Sequence, residues 1–359
     1  MKILKTIAVQ IFVGANIATL LLLWASCVAT YVPPEHAPRL SLLTLLFPVF
    51  LCANMAFIIF WLIFKVRKVW IPLAGIAICA CFVRDYFPVN LPSPAPADSW
   101  KIVSFNAYNY GGKAACDEEG NNLVVNYLAQ SNADIICLQE ASSSTFLKQL
   151  KKLLEGQGYE IAQHKGLIIC SRLHIISSDT LQFPTRSNGG FRAYLEDGND
   201  TILLINNHFE SNHLTPEVKR EYKDAVKRYE SDSLLQEITP MLRLLSQAAP
   251  MRGYQTDTVA AIIDAWLPRP VILCADFNDT PVSYVHRVLT RHLTSAYVQS
   301  GEGLGFTYKD WGFPVRIDNI LFDKNHFHSF DTHIDRSILH SDHYPIITFL
   351  QKNGQKQTK

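Results

Sequence analysis

The chain has almost no charge imbalance: across 359 residues, 33 Lys and Arg stand against 32 Asp and Glu, for a formal net charge of +1. There is therefore no global basic field to gather nucleic acid. That weighs against a dedicated DNA binder and leaves only a local basic groove open. Cysteine pairing signals are missing too. None of the eight cysteines forms a CxxC pair. Cys27, Cys52, Cys79 and Cys81 lie in long apolar segments, Cys137, Cys170 and Cys274 in short apolar runs, and only Cys116 in a polar stretch. This excludes a zinc ribbon and a disulfide framework, and reads as free thiols, mostly buried. His326, His328, His333 and His340 lack metal-ligand spacing and read as surface or packing residues.

Long apolar runs are what the chain does have. Three occur, at about 7–30, 42–64 and 69–87, the last ending on Arg84 and Asp85. A membrane span needs about 20 apolar residues. Residues 1–87 are thus expected to be a three-span membrane anchor. Lys2 and Lys5 precede the first run, and Lys65, Arg67 and Lys68 separate the second from the third. The positive-inside rule puts these on the cytoplasmic side. Three spans then place everything after residue 88 on the extracytoplasmic side, periplasmic or extracellular. Two alternatives stand beside this: a cleaved signal peptide for the first run, and a re-entrant third run that would return the rest of the chain to the cytoplasm. Residues 88–99 carry four prolines with residue 100 close behind, and read as a stiff, extended linker.

From residue 100 short β-branched runs alternate with amphipathic stretches, which indicates an α/β or α+β domain over 100–350. Strands are expected at 101–108, 133–140, 164–172, 191–196 and 201–211, and in "PVILCADFN", "FTYKD", "RIDNILF" and "HYPIITFL". Helices are expected at 122–131 and 144–156. Residues 216–266 read as mostly helical, with Pro240 and Pro250 as breaks, and 351–359 as a polar tail. "IVSFN" and "VILCADFN" are both apolar strands ending on Asn, which hints at two similar halves feeding one edge.

The polar residues at these strand ends are Asn106, Glu140, His208, Asp276, Asn278, Asp318, Asp342 and His343. Each has a plain reading alone: a strand end, a helix dipole partner, a core histidine, an Asp318–Arg316 pair, a turn. Together they suit one chemistry. Carboxylate and amide oxygens suit a hard cation such as Mg²⁺. An Asp beside an Asn can orient and deprotonate water, and an Asp–His pair can stabilise developing charge. That is equipment for in-line hydrolysis of a phosphoester.

The ordered set "SFN", "LQE", "NNH", "ADFNDTP", "RIDNIL" and "SDHYP", with "GFTY" ahead of "RIDNIL", resembles the endonuclease/exonuclease/phosphatase superfamily. The resemblance covers about residues 100–350. It implies a DNase I-like fold, a four-layer sandwich of two packed β-sheets flanked by helices. It also implies roles: Glu140, assisted by Asn106, for a divalent ion, Mg²⁺ with Mn²⁺ as the alternative; Asp276 to activate water; Asn278 to fix that water or a phosphate oxygen; His343, polarised by Asp318, on the scissile phosphate; Asp342 on the metal side; His208 as acid or phosphate contact. His208 departs from the abasic-site endonucleases and argues mildly against a repair enzyme. Asp279 and Pro281 only shape the turn. Arg192 and Arg252 are candidates for an anionic substrate, against readings as strand-edge and helix-surface charges.

The expected function is a membrane-tethered, metal-dependent phosphoesterase. A lipid headgroup or small phosphorylated molecule is favoured over nucleic acid, the bilayer is a partner through the N-terminal helices, and no protein partner is inferred. The rivals are a tethered nuclease, which would show a basic groove and steep salt dependence, and an inactive binding module, which would lack site residues.

Overall fold

The N-terminal quarter is helical because its runs are rich in Leu, Ile, Phe and Ala. Helix α1 (Lys2–Ala29) leads through the short α2 (Ser41–Leu45) to α3 (Phe47–Phe64). Two helices, Ile3–Ala29 and Phe47–Phe64, are long and apolar enough to cross a membrane. A satisfied polar network pins their register: Asn16 Nδ2 donates to Asn54 Oδ1 (3.0 Å), Trp61 Nε1 to Asn16 Oδ1 (3.0 Å) and Thr19 Oγ1 to Asn54 Oδ1 (3.2 Å). The third expected span, 69–87, is a bent pair, a shape open to a broken span or to the re-entrant alternative. Val66–Ile78, containing α4 (Trp70–Ile78), meets α5 (Ala80–Tyr86) at 69°. The cause is local. Gly75 O accepts Trp24 Nε1 (3.0 Å), and the Cys79 N–H turns to Ile76 O (2.9 Å), so the i→i−4 ladder breaks there. Gly75 also lets α1 approach, since a Cβ there would stand 2.2 Å from Leu20 Cδ2.

The computed structural model describes residues 2–185, 188–198, 200–214, 217–218, 220–221, 224, 231–309 and 314–354. The expected polar tail falls partly outside these; of its described part, Gln351 and Lys352 finish a strand.

Two six-stranded sheets make up the rest. The first has the order β11-β12-β1-β2-β4-β3, from β1 (Trp100–Asn106), β2 (Ile135–Gln139), β3 (Glu160–His164), β4 (Leu167–Ser171), β11 (Phe327–Ile334) and β12 (Ile346–Lys352). The second has the order β5-β6-β7-β8-β10-β9, from β5 (Ile175–Leu181), β6 (Gly189–Asp197), β7 (Asp200–His208), β8 (Val271–Asp276), β9 (Thr294–Ser295) and β10 (Asp318–Phe322). Period-two alternation dictates the layering. Ile102, Ile135, Cys137, Ile202, Leu204, Ile272 and Cys274 share the core between the sheets. Val103, Phe105, Ile136 and Leu138 face outward onto α6 (Leu123–Gln130) and α7 (Ser144–Glu155). Leu203, Ile205, Leu273 and Ala275 face outward onto α8 (Ser231–Trp266) and α9 (Tyr284–Leu289). Four layers result: helix, sheet, sheet, helix.

Pro240 and Pro250 do not break α8, which runs through both. An interior proline costs about 3 kcal/mol, and burial of Ala248, Ala249, Val259 and Ile263 offsets it. Of "FTYKD" the described residues 306–309 form no strand; Tyr308 makes isolated bridges to Val315 and His343. The proline-rich segment lies along the domain, with Gly303 N on Pro88 O (2.9 Å) and Asn90 Nδ2 on Gly301 O (2.6 Å).

Candidate active site

Topology gathers the polar strand ends at one edge. Each sheet is antiparallel except for one central parallel pair, β1–β2 and β7–β8, so both pairs end at the same rim. Asn106 pairs across to Gln139, with Glu140 next; His208 pairs to Asp276. The antiparallel neighbour β10 starts there, setting Asp318 opposite Asp276, and β12 begins there just after His343.

The contacts are close. Asn106 Nδ2 donates to Glu140 Oε1 and to Asp276 Oδ2, both at 3.0 Å. His208 Nε2 lies 3.6 Å from each of the same two oxygens. His343 Nδ1 bonds Asp318 Oδ2 at 2.7 Å, and its Nε2 stands 3.9 Å from Asp276 Oδ2. Burial, and then the neighbouring Asp318 charge, push Asp276 up to about 6. Burial opposes charge on His343, but the charge and hydrogen bond of Asp318, with Asp276 and Asp342 behind, outweigh it and push it up to about 10. His343 is therefore a cation at neutral pH with its Nδ1 proton held by Asp318.

The local backbone is built for this. Glu140 sits at φ 50°, and Tyr108, Asn109, Tyr110, Gly111 and Gly112 form a left-handed run. Such residues cost about 1 kcal/mol or more each outside glycine. The run is held by Tyr108 N on Asn106 Oδ1 (3.1 Å) and Asn109 N on Glu140 O (2.7 Å). A Cβ at Gly111 would stand 2.2 Å from His340 O. Ser341 Oγ donates to Asn106 O (2.8 Å) and accepts the His343 N–H (3.0 Å), tying the end of β1 to the approach to β12 in the same sheet. The Thr307 hydroxyl of "GFTY" accepts the Ile317 and Asp318 N–H groups.

Asn106, Glu140, His208, Asp276, Asp318 and His343 thus converge. Asn278, at φ 49°, is at the rim, but its Nδ2 is given to Phe209 O (3.0 Å) and its N–H to Asp276 Oδ1 (2.8 Å), so it orients Asp276. Asp342 adds to the field on His343 and lies on the side of Lys309, whose N–H bonds its carbonyl (3.0 Å). The two arginines are not brought in. Arg192 faces outward, forks onto Asp179 (Nη2–Oδ2 2.9 Å) and lines a separate cavity of about 590 Å³ with Tyr194 and Trp266. Arg252 is buried rather than on a helix surface. Its Nη1 bonds Glu210 O (2.9 Å) and Asn212 Oδ1 (2.7 Å), and its Nε lies 3.5 Å from Asp279 Oδ2. Asp279 therefore braces the loop onto α8 as well as bonding Thr280 N. Nor does Arg316 pair with Asp318. It is buried, lies over the Tyr297 ring (4.3 Å) and donates to Asp85 O.

The sequence reading missed three residues one rung below the site. Gln139 Nε2 donates to Asn206 Oδ1 (2.7 Å) and lies 3.3 Å from Ser104 Oγ; Asn206 Nδ2 reaches Leu138 O and Ile168 O, both at 2.9 Å. This network bolts one sheet to the other. The signal was in "SFN" and "NNH", where a second polar residue stands two places before Asn106 and His208 and so shares their face.

Which residues fit a divalent ion follows from donor chemistry. Asp276, Asp318 and His343 offer ligand atoms within 4.8 Å of one another. In that trio His343 Nδ1 is already committed to Asp318 Oδ2. The oxygens of Glu140 and Asp276, which both accept from Asn106 Nδ2, are a second set of the donor type that suits a hard cation. Burial of Asp276 beside Asp318 leaves the edge rich in negative charge, which an ion there would balance. Beside Glu140 opens a cleft of about 520 Å³ lined by Ser142, His164, Lys165, Gln182 and Phe183.

Residues 9–86 match a family described as a domain of unknown function (DUF8431). A search of curated protein sequences finds no match. Among solved structures, truncated TDP2 of Caenorhabditis elegans is similar at 17% identity and TM-score 0.46, covering 72% of this chain and 99% of that one. The endonuclease/exonuclease/phosphatase from Bacteroides vulgatus is similar at 15% and 0.47, covering 71% and 99%. TDP2 of D. rerio, complexed with single strand DNA product, is similar at 17% and 0.49, covering 70% and 99%. Residues 103–343, more than half the chain, match the Endonuclease/Exonuclease/phosphatase family, and with its DNase I-like pair of sheets the chain belongs to that family.

Proposed function

We propose that the protein is a membrane-anchored, divalent-metal-dependent phosphoester hydrolase. The observation that carries this is the buried convergence of Asp276, His343–Asp318, His208 and Asn106–Glu140 at one rim. Glu140 and Asp276 would hold the ion, Mg²⁺ by donor type, which when bound polarises a phosphoryl oxygen. Asp276 takes a proton from the attacking water. Its raised proton affinity suits a base, and the Asn278 N–H and Asn106 Nδ2 fix its two oxygens. Histidinium His343 donates from Nε2 to the phosphoryl oxygens, held in orientation by Asp318. His208 Nε2, buried and without a hydrogen-bond partner, is aimed at the same space and can contact phosphate or the leaving oxygen. Neither candidate arginine is free to grip a polyanion, which supports a lipid headgroup or small phosphorylated molecule over nucleic acid.

The contacts also support three crossings. The Arg287 guanidinium lies 3.4 Å from the centre of the Tyr31 ring just after α1, and Arg316 donates to Asp85 O in α5. The end of α1 and the end of the bent pair thus abut the same domain. With α3 leading away from the end of α1, this supports reading the bent pair as the return crossing. On that reading the domain lies opposite Lys65, Arg67 and Lys68, on the extracytoplasmic side.

The test uses the full chain in detergent with bis-p-nitrophenyl phosphate, p-nitrophenyl phosphate, sphingomyelin, phosphoinositides and plasmid DNA, with Mg²⁺ or EDTA. Hydrolysis that needs both the metal and Asp276 is expected. A rate that survives EDTA and Asp276→Ala overturns the mechanism, and preference for plasmid DNA overturns the substrate class. For topology, Arg67→Cys and Lys324→Cys should react with a membrane-impermeant maleimide from opposite faces.

A further inference from the structure

Two cavities flank α8, one toward the loops beside the active-site rim and one against the loop that follows α1. The first, about 440 Å³, is lined by Glu210, Asn212, His213, Leu244, Ala248 and Met251. Its polar end adjoins the site: Asn212 Nδ2 reaches Asn278 O (3.4 Å), and Asn212 Oδ1 is fixed by Arg252. The second, about 530 Å³, lies between α8 and the loop joining α1 to α2, lined by Pro38, Arg39, Leu40 and Pro250. Gln247 lines both. Leu244, Gln247, Ala248 and Met251 fall at i, i+3, i+4 and i+7, one continuous stripe of a helix. The Glu210–His213 pair (2.7 Å) and Asn212 stand at the site end, and Pro38, Leu40 and Pro250 at the membrane end, with Arg39 and Ser246 beside them. The loop carrying Pro38–Leu40 continues directly from the apolar α1.

We propose that this stripe of α8 is a track for the apolar tail of a membrane-resident phospholipid whose phosphoester is cleaved at the rim. The proposal rests on the hydrolase reading above. A phosphoester at His343 and His208 would leave its ester region against Asn212 and the Glu210–His213 pair. The tail then passes Leu244, Ala248 and Met251, crosses Gln247, and leaves between Pro38 and Pro250 toward the lipid. A headgroup-only substrate needs none of this path. Tail recognition would show as a rate difference between a long-chain lipid and a soluble diester with the same scissile bond.

The experiment compares the full chain and Ala248→Trp in phosphatidylcholine nanodiscs containing sphingomyelin, phosphatidylglycerol or phosphatidylinositol 4,5-bisphosphate, beside bis-p-nitrophenyl phosphate in solution. Filling the first cavity should lower the ratio of lipid to soluble-diester turnover at least tenfold, and Tyr254→Phe, on the exposed face of α8 outside both cavities, should keep it. An unchanged ratio overturns the track. Loss of bis-p-nitrophenyl phosphate hydrolysis in Asp276→Ala separates failure of the track from failure of the hydrolase reading. Should Ala248→Trp misfold, the wild-type chain is photolabelled with a phosphatidylcholine bearing a mid-chain diazirine. Adducts at 38–40 and 244–251 support the track, and adducts confined to α1 and α3 overturn it.

Discussion

The two central parallel pairs share a topology and differ in what they deliver. The pair β1–β2 ends in Asn106 and a Glu140 whose side chain is 40% exposed. The pair β7–β8, with β10, ends in His208, Asp276 and Asp318, whose side chains are 8%, 1% and 0% exposed. One half offers an open carboxylate that a hydrated ion can reach. The other is dry, and burial there raises the proton affinity of Asp276. Under the proposed mechanism the open side would admit the ion and the dry side would handle the protons, with Asp276 serving both.

The largest break in this comparison comes from the buried residues, Asp276 at the end of β8 and His343 just ahead of β12 in the other sheet. Asp276→Asn or His343→Ala should lower kcat on bis-p-nitrophenyl phosphate about 10³-fold while leaving the Mg²⁺ requirement of His343→Ala unmoved. A fall below tenfold would take proton handling away from those two residues. In the open half, Glu140→Gln should raise the Mg²⁺ concentration for half-maximal rate about 10- to 100-fold, with kcat largely recovered at saturating metal. Equal metal titrations for Glu140→Gln and His343→Ala would erase the distinction.

Acid sharpens the contrast next. His286, beside Phe277 in the dry half, is lowered to about 3 by burial and then by the Arg316 charge. Its unfolded value is near 6.5. Between these values the unfolded chain binds the extra proton, so stability falls as pH drops below 6.5. Denaturation at pH 7 and pH 5 should differ by about 2 kcal/mol from this group, and His286→Phe should remove that part. The smallest effect on rate belongs to the bolt between the halves. Replacing both Gln139 and Asn206 by Leu removes that bonded pair together, so the stability cost should come from Ser104 Oγ, Leu138 O and Ile168 O, which each lose a donor, and amount to about 1–3 kcal/mol. Yet kcat should fall severalfold as the two rims lose register; an unchanged kcat would deny the bolt a positioning role.

Much of this was legible in the sequence. Strands buried on both faces, such as "VILCAD", read directly, and so did every residue that converges at the rim. Edge strands did not. β3 and β5 are mostly polar and half in water, so alternation is weak there, and β3 merged with β4 across the tight Lys165–Gly166 turn. The arginines misled because a cation's role depends on its partner. Asp179 and Asp279 are far from Arg192 and Arg252 in sequence, and only folding pairs them. The bend at Cys79 was likewise invisible, since its cause, Trp24, lies on another helix.

The seam between helices and domain has a practical consequence. Val282, six residues beyond Asp276, packs with Leu23, Phe47 and Tyr86, and the Arg316 guanidinium depends on Asp85 O. Cutting the chain in the proline-rich segment would not release a finished enzyme. It would leave a raw apolar scar beside the catalytic loop and an arginine deprived of its acceptor. Such a fragment is expected to stick to itself and to work poorly, and its silence in an assay would reflect the surgery rather than the chemistry.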